Sequence, residues 1–121
     1  MGKKIFVVDD SKTMREMIQF TLKEAGHDVR AAEDGEQALS LLGSGSVDLI
    51  ITDLNMPKMD GIALIKALRA HPVHRGTPIL ILTTEADASK KQEGKSAGAT
   101  GWLVKPFVPE KLLETIARVC P

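Results

Sequence analysis

The 121-residue chain has little cysteine, few aromatic residues and no net charge. Its one cysteine is Cys120, and three phenylalanines and one tryptophan are its only aromatic residues. A lone cysteine cannot form an internal disulfide, so we expect a reducing compartment and assign Cys120 no role. Sixteen basic and sixteen acidic residues balance, which argues against a general nucleic-acid binder, because such proteins carry a basic excess.

Long apolar runs are also missing. The opening residues, MGKKIFVVDD, hold a short apolar run that ends in two acids, which excludes a secretory signal peptide. No segment reaches the roughly 20 apolar residues of a membrane-spanning helix. We therefore expect a cytoplasmic protein without membrane insertion. At this length we expect one domain over residues 1–121.

Short apolar runs of strand length are present. Three of them are nearly continuous in Ile, Leu, Val and Phe, which is typical of strands covered on both faces. A further run covers residues 100–104, and a weaker one, HDVRAA, covers residues 27–32. The three continuous runs are residues 4–8, 47–52 and 78–83.

Segments with helical spacing lie between these runs. The first follows a capping box predicted from Thr13 and Glu16, and the last begins at Pro109, which suits a first helical turn. The fourth, residues 87–97, has no large aliphatic side chain and contains Gly94, so we predict that it is the most mobile helix. Core positions are predicted at Met14, Met17, Ile18, Leu22, Ala25, Leu39, Leu42, Ile62, Ile65, Leu68, Leu112, Leu113, Ile116 and Cys120.

Strand and helix alternate five times along the chain. This order predicts an α/β fold of three layers, in which a five-stranded parallel sheet carries helices on both faces. Ligand sites in such sheets form beyond the carboxyl ends of the strands. Residues that end or follow the predicted strands are therefore candidates for one common site.

Acids, a hydroxyl and a lysine occupy these positions. Asp9 and Asp10 follow the first strand, Asp53 follows the third, Thr83 ends the fourth and Lys105 follows the fifth. Three carboxylates beside one lysine leave about two uncompensated negative charges, so carboxyl pKa values rise or a hard cation binds. Mg²⁺ prefers oxygen ligands, and one or two carboxylates with a carbonyl are enough to hold it.

The chemistry that these residues predict is phosphoryl transfer. With Asp9 and Asp10 at the metal, Asp53 is left to attack phosphorus and form an aspartyl phosphate. Lys105 would pair with phosphoryl oxygens, and the Thr83 hydroxyl would donate a hydrogen bond to them. Phosphoryl transfer requires mainly positioning and charge neutralisation from a protein.

Four motifs give the chain a resemblance to a known family. They are VVDDS at residues 7–11, DLNMPKMDG at 53–61, LILTT at 80–84 and KPF at 105–107. Over its whole length the chain resembles the receiver domain of two-component response regulators, most of all the stand-alone chemotaxis regulators. This resemblance implies a flavodoxin-like (βα)5 fold with strand order 2-1-3-4-5.

The resemblance also implies roles at the acidic edge. Asp53 would accept a phosphoryl group from the phosphohistidine of a sensor histidine kinase of the chemotaxis type. Asp10, Asp53 and the backbone carbonyl of Asn55 would bind Mg²⁺ directly, and Asp9 would act largely through a bound water. The protein would be a phosphoacceptor that catalyses only its own phosphorylation and dephosphorylation, rather than an enzyme with a separate substrate.

A switch is implied beside this edge. Thr83 and Trp102 would change position on phosphorylation, and Asn55 and Glu85 would tune the attack of water on the phosphoaspartate, with a short phosphoryl lifetime. The Lys105–Pro106 bond is expected to be cis. Trp102 stands where tyrosine or phenylalanine is commoner, and its bulk and indole N–H raise the question of how fully it is buried.

The implied output surface comprises the fourth helix, fifth strand and fifth helix. Its candidate contacts for an output protein such as the flagellar motor switch are Lys90, Lys91, Trp102 and Lys111. The chain stops after the fifth helix, so we expect no attached output domain unless the sequence is a fragment of a longer regulator. We also expect a monomer. A role as a phosphate sink stays open.

Other interpretations require residues that the chain lacks. An aspartate-nucleophile phosphatase typically has a second aspartate where Asn55 stands, and asparagine cannot protonate a leaving group. A flavin binder would need a Ser/Thr/Gly loop after the first strand, where the chain has residues 9–11, DDS. The spacing of His71 and His74 suits a metal pair on one helical turn, but Pro72 disfavours a helix there, so we expect exposed loop histidines.

Overall fold

Five strands alternate with five helices in the computed structural model, which describes residues 2–121. The strands are β1 (Lys4–Val8), β2 (Asp28–Ala32), β3 (Leu49–Thr52), β4 (Ile79–Thr83) and β5 (Gly101–Val104). The helices are α1 (Lys12–Glu24), α2 (Gly35–Leu42), α3 (Gly61–Ala70), α4 (Ala88–Ala97) and α5 (Pro109–Val119). Among residues 2–121, no helix combines the length and the apolar character that crossing a membrane requires.

The strands form one parallel sheet in the order β2-β1-β3-β4-β5. Successive residues of β1 face opposite helix layers: Phe6 and Val8 pack towards α2 and α3, whereas Ile5 and Val7 pack towards α1 and α5. Burial on both faces explains why the central strands are apolar at nearly every position. The predicted α/β architecture and strand order are confirmed.

Helix α1 begins earlier than the sequence predicted. It starts at Lys12, and the Ser11 hydroxyl caps it by accepting a hydrogen bond from the Met14 amide at 3.2 Å. The predicted capping box of Thr13 and Glu16 is therefore wrong. Only three residues connect β1 to α1, so the helix begins directly after the acid pair, and Thr13 already lies inside it.

Three side chains lie in environments that the sequence did not predict. Ala25, predicted as a core position, is exposed because it is the C-cap residue that follows α1. Met17 is 50% exposed because it lies at the edge of the α1 face that buries Ile18 and Leu22. His74, predicted to be exposed, is buried, and its Nε2 lies 3.0 Å from the Gly43 carbonyl oxygen. This contact joins the loop after α3 to the loop after α2, and the local HPVH pattern does not encode such a tertiary contact.

Helix α4 has little apolar surface packed on the sheet. Within residues 88–97 the buried position is Gly94. A Cβ at Gly94 would press against the Trp102 ring and the Ile81 side chain. Glycine therefore lowers the helix propensity here but allows α4 to approach the sheet closely. The prediction that α4 is the most mobile helix rests on this sparse packing.

The carboxyl end of α4 is held by a guanidinium group of α3. Arg69 donates from Nε and Nη2 to the Gly98 carbonyl oxygen, at 3.1 and 2.9 Å. Its Nη1 donates to the carbonyl oxygens of His74, Arg75 and Thr77, at 3.0, 3.2 and 2.7 Å. A cation placed at the end of a helix also interacts favourably with the helix dipole.

We expect amide hydrogen exchange to be faster in α4 than in α1 and α5, because fewer apolar contacts oppose local opening. Arg69→Gln should accelerate exchange further around Gly98 and lower the free energy of unfolding by roughly 1–3 kcal/mol, since carbonyl groups lose their donors. Lys66→Gln, an exposed change on the same helix, serves as the control. Slower exchange in α4 than in α1 and α5 of the wild type would contradict the prediction.

Candidate functional site

The carboxyl ends of β1, β3 and β5 bring four charged side chains together. Lys105 Nζ lies 2.6 Å from Asp9 Oδ2 and 3.0 Å from Asp53 Oδ2. One carboxylate oxygen from each of Asp9, Asp10 and Asp53 lies within 4.8 Å of the others. Residues that are up to 96 positions apart in the chain therefore share one pocket, at the edge of the sheet where the sequence placed them.

Asp9 is buried, and each of its polar atoms has a hydrogen-bond partner. Its amide donates to the Ala32 carbonyl oxygen at 3.1 Å, and its own carbonyl oxygen accepts from Arg15 Nη1 at 2.7 Å. Its Oδ1 accepts from the Ser11 amide at 2.9 Å, and its Oδ2 accepts from Lys105. Burial raises the pKa of Asp9 above 3.8, although the Lys105 and Ser11 hydrogen bonds act in the opposite direction.

Lys105 is the buried counter-charge of the pocket, with a side chain only 8% exposed. Burial on its own would lower the pKa of its ammonium, but the hydrogen bonds to Asp9 and Asp53 outweigh that effect and hold the pKa above 10.5. The Lys105 amide donates to the Thr83 carbonyl oxygen at 2.7 Å, which ties the end of β5 to β4. The Lys105–Pro106 bond is cis, as expected from the resemblance.

Asp53 is fixed at the end of β3 by hydrogen bonds of its backbone amide and of its side chain. Its amide donates to the Val8 carbonyl oxygen at 2.9 Å, and its Oδ1 accepts from the Leu54 amide at 2.6 Å. A Cβ at Gly61 would collide with the Asp53 carbonyl group. Glycine at the first position of α3 therefore allows this helix to start directly against the end of β3.

The oxygen atoms of this pocket fit a hard divalent cation. Three carboxylates against one ammonium leave two negative charges uncompensated if all three acids ionise. Mg²⁺ lies about 2.1 Å from its oxygen ligands, so opposite ligands are about 4.2 Å apart. The observed limit of 4.8 Å reaches this spacing with small side-chain movements. Asp10 is exposed at the rim of the pocket, where a cation can reach it.

Thr83 and Trp102 are connected through the backbone of Glu85. Thr83 is buried, and its hydroxyl oxygen accepts from the Glu85 amide at 3.3 Å. The half-buried Trp102 donates its indole N–H to the Glu85 carbonyl oxygen at 3.1 Å. This bond satisfies the polar indole group without full burial. Asn55, the other tuning candidate, is exposed in the loop after Asp53.

Two of the candidate output residues, Lys91 and Trp102, lie at a groove beside β5. Lys91, Lys95 and Trp102 line this groove, whose cavity volume is about 270 Å³. Lys90 and Lys111 are exposed on α4 and α5. Trp102 therefore presents one part of its indole to the groove and another part to Glu85.

Sequence reasoning missed two residues that hold the acid pair. Ser11 caps α1 with its hydroxyl and binds Asp9 with its amide, and Arg15 binds the Asp9 carbonyl oxygen. A serine directly after the acid pair and an arginine one helical turn later are the available sequence signals. The roles of both residues can be assigned only when the helix is known to begin at Lys12.

Comparison with known proteins agrees with this architecture. Residues 5–117 match the response regulator receiver domain family. The chain is 42% identical over 117 residues to the chemotaxis protein CheY of Pseudomonas aeruginosa, covering 96% of this chain and 94% of that protein. The solved structure of the chemotaxis response regulator CheY4 of Vibrio cholerae is 50% identical, with a TM-score of 0.93, over 98% of this chain and 99% of that one.

A more distant solved structure has a metal in the corresponding fold. It is the receiver domain of a sensor histidine kinase from Pseudomonas aeruginosa, described with a magnesium ion coordinated in its active-site cleft. It is 28% identical, with a TM-score of 0.91, over 99% of this chain and 98% of that one. With a family match over residues 5–117 and near-complete coverage of a curated relative, the chain belongs to the response regulator receiver domain family.

Proposed function

We propose that this protein is a Mg²⁺-dependent phosphoacceptor switch of a chemotaxis-type two-component system, phosphorylated on Asp53. The observation that carries the proposal is the buried Lys105 ammonium bridging Asp9 and Asp53 beside the exposed Asp10. Excess negative charge, a fixed lysine and a carboxylate at the strand end are what phosphoryl transfer to an aspartate requires.

The metal would be held by Asp10, Asp53 and the Asn55 carbonyl. The side chain of Asp9 is more deeply buried than that of Asp53, at 2% against 11% exposed, which favours an indirect role for Asp9 through a bound water. When bound, Mg²⁺ would offset the negative charge of the pocket and of the phosphoryl oxygens. The magnesium ion described for the related kinase receiver domain supports this choice of metal.

The transfer itself would be a displacement at phosphorus. A carboxylate oxygen of Asp53 forms the new P–O bond as the P–N bond to the donor histidine breaks, and the electron pair of that bond stays on the imidazole nitrogen. Lys105 then exchanges its carboxylate contact for a phosphoryl oxygen, and the Thr83 hydroxyl donates to another. The hydrogen bonds that fix Asp53 and Lys105 keep the reacting groups positioned.

The switch would pass from Thr83 through Glu85 to Trp102. A Thr83 hydroxyl drawn to the phosphoryl group weakens its contact with the Glu85 amide, and the Glu85 carbonyl is the partner of the indole. The phosphoryl group thereby stabilises one of two existing conformations of this segment and of α4. Asn55 and Glu85 would control access of water to the phosphoaspartate and give it a short lifetime.

The partners follow from the chemistry and from the relatives. A chemotaxis-type histidine kinase would supply the phosphoryl group, and the flagellar motor switch would bind the groove lined by Lys91 and Trp102, with Lys90 and Lys111 as further contacts. The chemotaxis proteins among the relatives support this assignment. A protein of this kind would act in the cytoplasm as a monomer.

Phosphorylation should add one phosphoryl group, at Asp53. Incubation with acetyl phosphate and Mg²⁺, followed by intact mass spectrometry, should give this mass gain in the wild type and lose it in Asp53→Asn, since an amide cannot act as the nucleophile. Asp28→Asn, at the opposite end of the sheet, is the matched control and should be labelled like the wild type. A mass gain that persists in Asp53→Asn would refute the site.

Without metal at pH 7, the Asp9→Asn variant should melt at a higher temperature than the wild type. It should also lose most of the increase in melting temperature that Mg²⁺ produces in the wild type. Because folding raises the pKa of Asp9, the metal-free wild type loses stability as pH rises from 3.8 through that raised pKa, and the variant lacks this loss. Protons and Mg²⁺ compete for the pocket, so the stabilisation of the wild type by Mg²⁺ should weaken as pH falls through the same pKa.

The matched control for this change is Asp10→Asn. Asp10 is exposed, so its substitution should also remove the Mg²⁺ effect but should alter the metal-free melting temperature much less. The measurement is thermal unfolding with and without Mg²⁺ across a pH series. Equal metal-free melting temperatures of Asp9→Asn and wild type at pH 7 would show that the pocket does not disfavour the Asp9 charge.

Reversing the charge of Lys91 should weaken binding of the motor switch. Titration of the switch protein into beryllofluoride-activated protein, followed by the fluorescence of the single tryptophan, should give a dissociation constant on the order of tenfold higher for Lys91→Glu. Lys12→Glu on α1 is the control for net charge. Equal effects of the two variants would exclude the groove as the docking surface.

A further inference from the structure

Arg15 makes a contact that the proposed chemistry does not use. The chain turns from β1 into α1 over three residues, and the Arg15 side chain returns from the first turn of α1 to the strand end. Its Nη1 donates to the Asp9 carbonyl oxygen at 2.7 Å, while its own amide donates to the Ser11 carbonyl oxygen at 2.9 Å. Arg15 therefore closes the turn that carries both acids.

The Asp9 carbonyl controls where Asp10 lies. The Asp9–Asp10 peptide is planar, so holding its oxygen also fixes the direction in which the chain leaves towards the Asp10 Cα. The Asp10 side chain is exposed at the rim of the pocket. The position of its carboxylate relative to Asp9 and Asp53 thus depends on the backbone beneath it rather than on surrounding packing.

The contact of Arg15 is with a backbone carbonyl and not with an acid. The ion pairs among residues 2–121 join Lys105 to Asp9 and Asp53, and join Lys58 and Lys90 to carboxylates elsewhere, without Arg15. The pocket lysine is therefore the direct counter-charge of the acids. The geometry of the Arg15 contact is that of a brace on the turn.

We propose that Arg15 is a positioning residue for the divalent cation, acting through the Asp9–Asp10 peptide. This inference rests on the proposed metal site at Asp10, Asp53 and the Asn55 carbonyl. This role and a simple charge effect change the metal affinity in opposite directions when Arg15 is replaced. A guanidinium that acted only by its charge would repel the cation, so removing it would tighten metal binding. A guanidinium that braces the turn makes its removal weaken metal binding.

The test is a Mn²⁺ titration followed by electron paramagnetic resonance of the free ion, which requires no phosphoryl transfer. Arg15→Gln should raise the Mn²⁺ dissociation constant on the order of tenfold, as for other residues that orient metal ligands. Lys12→Gln, which removes the same charge one turn earlier from an exposed position, should change it by less than about twofold. Arg15→Lys, which keeps the charge and one donor, should give an intermediate value.

Each result supports or refutes the proposal that Arg15 positions the turn carrying Asp9 and Asp10. Equal or tighter Mn²⁺ binding by Arg15→Gln would overturn it, and so would parallel changes in Arg15→Gln and Lys12→Gln. If Arg15→Gln does not fold by circular dichroism, the comparison of Arg15→Lys with wild type decides, because a brace requires weaker binding at constant charge. Absence of Mn²⁺ binding by the wild type would instead refute the metal site of the proposed function, and the brace with it.

Discussion

The ion pairs of Lys105 with Asp9 and Asp53 are the constraint on which the rest of the site depends. Two carboxylates about 5 Å apart repel by roughly 3 kcal/mol at an effective dielectric constant of about 20, and this pocket gathers three. One lysine offsets part of that repulsion and fixes the ends of three strands relative to one another. The charge that it leaves uncompensated is what makes the pocket suited to a cation.

The packing of the site differs from the packing of helix α4. The strand ends that carry the acids are buried between two helix layers. Helix α4 instead packs through Gly94, and its last turn is held by hydrogen bonds from Arg69. In the proposed switch, few apolar contacts would therefore oppose a shift of α4.

Much of the fold and site could be read from local patterns. Five apolar runs gave the strands, and the residues that follow them gave Asp9, Asp53 and Lys105, because parallel strands end at one edge. The failures were of another kind. The helix start at Lys12, the burial of His74 and the exposure of Met17 depend on which elements happen to lie alongside, and local spacing carries no information about that.

The sequence by itself determined the strand–helix alternation, the sign of the charge at the sheet edge and the kinds of side chain available there. The tertiary structure alone decided which atoms meet: that Lys105 lies between two carboxylates, that the Glu85 backbone joins Thr83 to Trp102, and that Arg15 returns to the first strand. The physical reason is that local and tertiary interactions act over different separations along the chain. Propensity and periodicity act over a few residues, whereas hydrogen bonds and ion pairs depend on ångström distances that exist only after distant segments have packed.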